Sequence, residues 1–396
     1  KEYGYYSSGE SFSIADPNEA WIMEMIGKGP GVKGAVWVAV RIPDDCIAAH
    51  ANQSRIHKFN MSDKENCLYA PDVVSFAREK GYFSGKNTDF SFADAYCPLT
   101  FDNVRFCEAR VWSFYNMFSK STGQTYLPYV QGESKEPMPL YVKPDRKVSV
   151  RDIQHAMRDH YEGTPLDITK DCGAGAFETP YRLSPLTFKV DGKDYFNERP
   201  ISTQQSGFVF VSQMRSTMVG GVLWFGLDDA NMTVFTPVYC NTDRVPAPYA
   251  EGNGDCVTFS WDSAFWIYNW VADMIRPRYS LMVGDMRSVQ NSLYATAQEG
   301  IERAALKLYQ EDPQKAKEFL TNYTDMAART ALDSWKKLGE FLIVRYNDGA
   351  VKRVKNGKLV RPETGNSAPL DRPGYSEEFL KKLVEETGDR YLMKTW

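Results

Sequence analysis

Gly34 to Ile42 reads GAVWVAVRI. From Ala35 to Val40 the run is wholly apolar, so an extended strand here has no polar face and predicts cover on both sides. Turn signals surround it. Glu10 to Ala15 alternates, with Phe12 and Ile14 on one face. Ala20 to Ile26 (AWIMEMI) follows the turn residues Asp16-Pro17-Asn18, and Gly29-Pro30-Gly31 makes the next turn. Ile47 to Ile56 (IAAHANQSRI) follows Pro43-Asp44-Asp45. Four strands joined by short turns predict an antiparallel meander.

Helical spacing then takes over. Pro71-Asp72 opens a segment running to about Lys80. Phe106 to Phe118 is aromatic at helical spacing, and Val150 to Tyr161 reads as a helix with Ser149 as its cap. Asp167 to Arg182 reads as loop. A second β block comprises Gly207 to Arg215, Gly220 to Leu227 and Asn231 to Tyr239, with Asp228-Asp229-Ala230 short enough for a hairpin link. From Ser260 the chain reads as helical: Ser260-Trp261-Asp262-Ser263 could cap a first helix that Pro277 interrupts, and Arg278 to Leu308 and Gln314 to Phe341 read as long helices parted by Asp312-Pro313. The expected organisation is an α+β core over 1–259 with a helical insertion around 70–160, a helical region over 260–346 and a polar tail over 347–396. Within that tail, Val351 to Arg361 gathers five basic residues around Asn356-Gly357 and reads as a solvated hairpin. The long helices pack either on this domain or on a second copy in a homo-oligomer.

At 396 residues, one large domain with appendages and two domains both remain open. The composition is 43% hydrophobic and 25% charged with net charge −4, and no basic stripe runs along the chain, which argues against nucleic-acid binding. No apolar run is long enough for a membrane-spanning helix.

Common catalytic signatures are missing: there is no GxGxxG after a strand, no P-loop lysine motif, no HExxH and no GxSxG. The four histidines are His50, His57, His155 and His160, at spacings poor for a shared metal. His50 and His57 are expected on or near one strand, facing opposite ways. Seven cysteines form no CxxC. Cys97 with Cys107 and Cys240 with Cys256 are spaced for loop disulfides, although spacing does not establish pairing. Cys46 lies near His50, but its Pro-Asp-Asp turn would raise a thiol pKa and disfavour a nucleophilic role.

An ordered set of segments is more specific. GESFSIAD at Gly9 to Asp16 precedes AWIMEM, GAVWVAVRIPDD and HANQSRI at His50 to Ile56. FNERPISTQQSGFVFVSQMR follows at Phe196 to Arg215, then GGVLWFGLDDANMTVFTPVY at Gly220 to Tyr239 and FSWDSAFWIYNWVA at Phe259 to Ala272. Together they resemble the bacterial dipeptidases among the N-terminal-nucleophile cysteine hydrolases. Secernins are relatives of that family, and bile salt hydrolases and penicillin V acylases share the wider fold.

The resemblance implies an αββα sandwich of two stacked antiparallel sheets with helices outside. It also implies hydrolysis of dipeptides or short peptides by a cysteine exposed as the first residue, its own α-amine acting as base, with no metal or organic cofactor. An α-amine pKa near ~8 suits proton transfer at neutral pH. In that family GESFSIAD lies after the nucleophile, so the nucleophile-bearing segment is expected outside this chain, leaving the chain inactive alone. That segment is then a required partner, and its absence would leave strand edges unpaired.

The resemblance assigns Asn52 to oxyanion stabilisation, where a neutral amide donor suits the developing charge. Its alternatives are a strand-end cap or a glycosylation acceptor in Asn52-Gln53-Ser54. Glu10 and Ser11 start a strand approaching the same site, where a carboxylate would bind a dipeptide's α-amine; a strand-end surface position is the alternative for Glu10. His50 either lines the pocket or is a satisfied core residue. Arg215 binds a substrate carboxylate or makes a structural ion pair. Asp228 and Asp229 fit a hairpin turn better than an amine site. The alternative functions are an amidase of the bile-salt or acyl-amide type and a non-catalytic secernin-like binding protein. The implied compartment is the periplasm or cell exterior, with cytoplasm as the alternative.

Overall fold

Asp16 accepts backbone hydrogen bonds from Asn18 (2.7 Å) and Glu19 (2.9 Å), turning the chain between its first two strands. This is a computed structural model, and it describes residues 9–250, 252, 254–293, 298–364 and 368–395. Contacts divide the chain into two units: Lys1–Tyr161 with Leu183–Ile201 and Val211–Gly221, and Glu162–Arg182 with Ser202–Phe210 and Val222–Trp396.

In the first unit, β1 (Gly9–Ala15), β2 (Ala20–Gly27) and β3 (Ala35–Ile42) form the expected antiparallel meander. The fourth strand differs. The strand expected at Ile47 to Ile56 shrinks to β4 (Ile47–Ala48), and β5 (Cys67–Tyr69) takes the place beside β3. The sheet order is therefore β1-β2-β3-β5, with β1 at an edge. Val36 and Val38 are fully buried, whereas Ala35 and Trp37 on the opposite face are half-buried, so the predicted double cover is partial. Ile22, Val36, Val38 and Ile42 pack with Val73, Val74, Phe76 and Ala77 of α1 (Val73–Glu79).

Further along come α2 (Phe92–Tyr96), α3 (Phe101–Asn103), a π-helical turn over Val104–Glu108, α4 (Ala109–Phe118) and α5 (Lys120–Gln131). The expected start at Phe106 thus falls inside the π turn. β6 (Tyr141–Val142) pairs with β4. α6 (Val150–Ala156) is capped by Ser149 and Asp152 in a reciprocal capping box, and it ends short of the expected Tyr161, whose φ is +68°. β7 (Thr187–Val190) and β8 (Lys193–Phe196) form a hairpin.

The second unit has β10 (Val222–Leu227) paired with β11 (Thr236–Tyr239). β9 (Phe208–Gln213), of which Phe208–Phe210 belongs to this unit, completes the order β11-β10-β9. Residues from Asn231 to Phe235, expected as strand, are buried loop instead. The helices are α7 (Ala264–Ile275), which starts directly after Ser263, the last residue of the expected cap segment, α8 (Tyr279–Ser292), α9 (Gln298–Glu311) and α10 (Pro313–Arg345). The helix expected from Arg278 to Leu308 is therefore two helices, and its residues 294–297 lie outside those described. Asp312 caps α10 through the amides of Gln314 and Lys315. α10 packs within this unit against α7, α9 and β11. Strands and helices that the sequence puts in separate regions here share one core.

After 347 the chain is ordered into small elements: β12 (Val351–Lys352), β13 (Val354–Lys355), β14 (Lys358–Leu359), β15 (Leu370–Asp371) and α11 (Glu377–Thr387). The predicted Asn356-Gly357 hairpin forms between β13 and β14, with φ of +51° and +73° at the two turn residues. No described helix is long and apolar enough to cross a membrane. Antiparallel strands and helices in both units make the chain α+β.

Trp335, wholly buried, meets Tyr268 at a ring-centroid distance of 5.6 Å in the second unit's core. Trp335→Ala should lower stability by about 3–5 kcal/mol in urea unfolding. A loss below about 1 kcal/mol would remove Trp335 from the core's supports.

Candidate active site

The segment after β4 leaves the sheet because its hydrogen-bonding groups find other partners. Glu24 projects from β2 and is 1% exposed. It accepts from the Ser54 hydroxyl, from the Arg55 amide at 2.6 Å and from the Ile56 amide at 3.1 Å. Burial raises the Glu24 pKa despite those hydrogen bonds. Gln53 donates its side-chain amide to the Cys97 carbonyl at 2.7 Å. Arg55, 3% exposed, pairs with buried Glu108 at 2.9 Å and donates to the carbonyls of Ala49, Met138 and Pro139. Burial opposes its charge, but the attraction of Glu108 and then Tyr115 outweighs that and leaves its pKa raised.

Residues 53–56 are thereby fixed, and Asn52 is left exposed at their head in the left-handed region, φ +59°. Arg110 of α4 donates to Asn52 Oδ1 at 2.9 Å. Because a guanidinium only donates, the Asn52 oxygen faces Arg110 and the NH₂ points elsewhere. The surrounding cavity, of about 360 Å³, has walls from β1 and β2 (Gly9, Glu10, Ser11, Glu24, Ile26), the loop His50 to Ser54, and Tyr96, Cys97 and Arg110.

Four of the five residues singled out from the sequence line this one cavity: Glu10, Ser11, His50 and Asn52. Arg215 does not; its Nε donates to the Gly220 carbonyl at 3.0 Å. His50 sits in the loop rather than on a strand, so strand alternation does not set its direction. Its Nε2 lies 2.9 Å from the Ser13 hydroxyl. His57 is also off-strand, 3.2 Å from Asp94. A larger cavity of about 760 Å³ runs from Val40 and Arg41 to Pro137 and Tyr141 and contains none of the five. The smaller one is the candidate site because it gathers the polar and charged groups.

All seven cysteines are free, so neither Cys97–Cys107 nor Cys240–Cys256 is bridged. Burial, and then a hydrogen bond to Asp45, pushes the Cys46 thiol up, in line with its turn. No group of three or more potential metal ligands occurs among the described residues.

In the second unit, Asp229 is fully buried and accepts from Tyr181, from Ser202 at 2.6 Å and from the Asn231 amide at 3.0 Å. The Asn231 side chain donates to Tyr181 and Tyr279, each at 2.9 Å, and Arg287 reaches its carbonyl at 2.6 Å. These bonds hold residues 228–235 as loop and occupy the Asp229 carboxylate. Burial pushes Asp228 up to about 7, beside Asn269 at 3.0 Å. Neither aspartate is a simple turn residue at the surface.

Residues 1–292 match the model of peptidase family C69. The chain belongs to peptidase family C69. A probable dipeptidase of Salmonella dublin is 27% identical over 237 residues, covering 59% of this chain and 47% of that protein. A probable dipeptidase of Latilactobacillus sakei is 25% identical over 275 residues, 69% of this chain and 51% of the relative. Dipeptidase A of Lactobacillus helveticus is 24% identical over 278 residues, with 69% and 51% covered. The chain spans about half the length of these curated relatives.

Sequence reasoning missed Glu24, Arg55, Glu108 and Arg110 in this C69 chain. A glutamate amid the apolar AWIMEMI was an available signal for Glu24, because a charge on a strand's inner face needs partners. Arg110 carried no such mark on its aromatic helix.

Two predictions follow from the geometry around Asn52. Glu108→Ala strands the Arg55 charge and should cost about 3–5 kcal/mol in urea unfolding, while Arg55→Met with Glu108→Leu should cost less than the single change. A single variant as stable as wild type would dismiss the pair as a support. Burial, and then the Arg55 charge, lowers the His50 pKa below 6.5. The unfolded chain therefore binds that proton more readily, so the stability contributed is complete above pH 6.5 and falls as pH drops through the lowered value. His50→Gln should flatten the stability–pH curve below pH 6.5; an unchanged slope would mean that His50 does not contribute.

Proposed function

We propose that this chain carries the substrate cleft of a cysteine-type dipeptidase and that the cavity around Asn52 is its reaction site. The carrying observation is the Asn52 amide, held by its oxygen at Arg110 so that its NH₂ remains a directed donor. Membership of family C69 and the dipeptidase relatives support the same reading.

In this reading a cysteine thiolate attacks the peptide carbonyl, and its own α-amine takes and returns the proton. The carbonyl oxygen gains negative charge, and Asn52 Nδ2 donates to it. A donor fixed before reaction needs no reorganisation as charge develops. The peptide C–N bond then breaks, the amine of the C-terminal residue leaves with that proton, and water attacks the thioester to release the acid and restore the thiol. Such a nucleophile must carry a free α-amine. Each of the seven cysteines here is bonded on both sides, so this reading assigns the nucleophile to none of them as they stand. Glu10 and Ser11 bind the substrate's α-ammonium end, and His50, neutral at working pH, lines the pocket and steadies β1 through Ser13.

The finer fold reading is the αββα sandwich, supported by an antiparallel sheet with helices in each unit. A periplasmic or secreted setting belongs to the same proposal, with fractionation of the native protein as its test.

Asn52→Ala in the full-length protein should lower kcat on a dipeptide by about 10²-fold or more, with the fold unchanged by circular dichroism. Near wild-type turnover would remove Asn52 from the chemistry. Cys97→Ser should retain activity, and chelators should leave turnover intact. Loss in either case would count against a metal-free mechanism with a thiol other than Cys97.

A further inference from the structure

Arg110 is a cation on the wall of the cavity, and its recorded hydrogen-bond partners are neutral. It donates to the carbonyls of Phe106 (2.8 Å) and Ala51 (3.4 Å) and to Asn52 Oδ1 (2.9 Å). No described carboxylate forms an ion pair with it. Nearby charges increase the imbalance. Arg199 repels it, and the neighbouring Arg105 is already paired with Glu198. Burial, and then Arg199, pulls the Arg110 pKa down. A poorly hydrated cation without a counter-ion is costly, and an anionic group on a ligand relieves that cost. Glu10 supplies the opposite charge in the same lining.

We propose that Arg110 binds the α-carboxylate of the substrate, so that the cavity selects free dipeptides bearing a charge at each end. This rests on the reading of the cavity as the hydrolytic site. The guanidinium suits both tasks: Nη2 holds Asn52, Nε is taken by the Phe106 carbonyl, and Nη1 remains to meet a carboxylate. Substrate binding and the oxyanion donor are then coupled through one side chain. A ligand lacking the carboxylate leaves Arg110 uncompensated beside Asn52. A cavity of about 360 Å³ also limits what can lie between the two charged ends. Arg215, hydrogen-bonded to Gly220 outside this lining, is relieved of the carboxylate role that the sequence offered it.

The test compares a dipeptide with its own C-terminal amide in steady-state kinetics of the full-length protein. A charge-assisted hydrogen bond contributes about 1.5–3 kcal/mol, so wild type should favour the free acid in kcat/KM by about 10- to 100-fold. Arg110→Met should bring the two substrates within about 3-fold by removing that bond, and Arg110→Lys should keep part of the preference. A wild type that treats acid and amide alike overturns the proposal without any variant. So does an Arg110→Met protein that loses kcat on both substrates while keeping the preference, since Arg110 would then act only by positioning Asn52. A wild type that cleaves neither substrate, with its nucleophile present, fails at the earlier step and overturns the hydrolytic reading together with this one.

Discussion

The candidate site depends on the burial of Arg55. Its side chain reaches Glu108 on one side and backbone carbonyls from Ala49 and from Met138 and Pro139 on the other. Five guanidinium donors can join the Glu108 turn to the segments that flank the β4–β6 pair, with which it shares no ladder. A lysine could not, because its ammonium is a single point with no planar fork. Glu24 completes the arrangement by accepting two successive backbone amides and a hydroxyl from the same loop. The loop therefore departs from the sheet with its Arg55 and Ile56 amides satisfied, and Asn52 can occupy a conformation that most residues avoid.

Chemistry and support are thus separated in space. Arg55 and Glu108 are buried and paired away from the cavity lining, whereas Asn52, Glu10 and Arg110 line it, and buried Glu24 supports the loop from within that lining. Arg110 bridges the two sets, because its helix is anchored by the Glu108 pair while its guanidinium faces the cavity lining. The second unit carries its own buried network about Asp229 and Asn231, which fixes a loop in the same manner with different residues.

Much of this was legible in the sequence, and the failures share a cause. β1, β2 and β3 follow from alternation, apolarity and turn residues within a few positions of each other. So do the capping box at Ser149 and the Asn356-Gly357 hairpin. The Asp191-Gly192 turn of the β7–β8 hairpin carried the same kind of local signal and was passed over. The loop from Ala49 to Ile56 reads as strand only from its place after three strands and the Pro43-Asp44-Asp45 turn. Its actual partners, Glu24 and Glu108, lie 31 and 53 residues from Arg55, and no local pattern reports them. Of the five residues singled out, Asn52 by the family resemblance and Glu10, Ser11, His50 and Arg215 by their positions, all but Arg215 line one cavity. Arg110 was hidden because an arginine on an amphipathic helix looks like any solvated charge.

The π-helical turn at Val104–Glu108 gives the site an unusual kind of vulnerability. It holds one residue more than an α-helical turn would, which commonly marks an insertion retained for function. Excision of any one of those residues would restore a regular α-helix, and the helix itself would gain by it. Yet the shift turns one end against the other by about 100°. Either Glu108 would leave Arg55 and Arg110 would leave Asn52, or the preceding segment, with Arg105 at Glu198, would turn away. At this point the sequence tolerates exchange of letters far better than a change in their number, so lineages that keep the activity should keep the spacing.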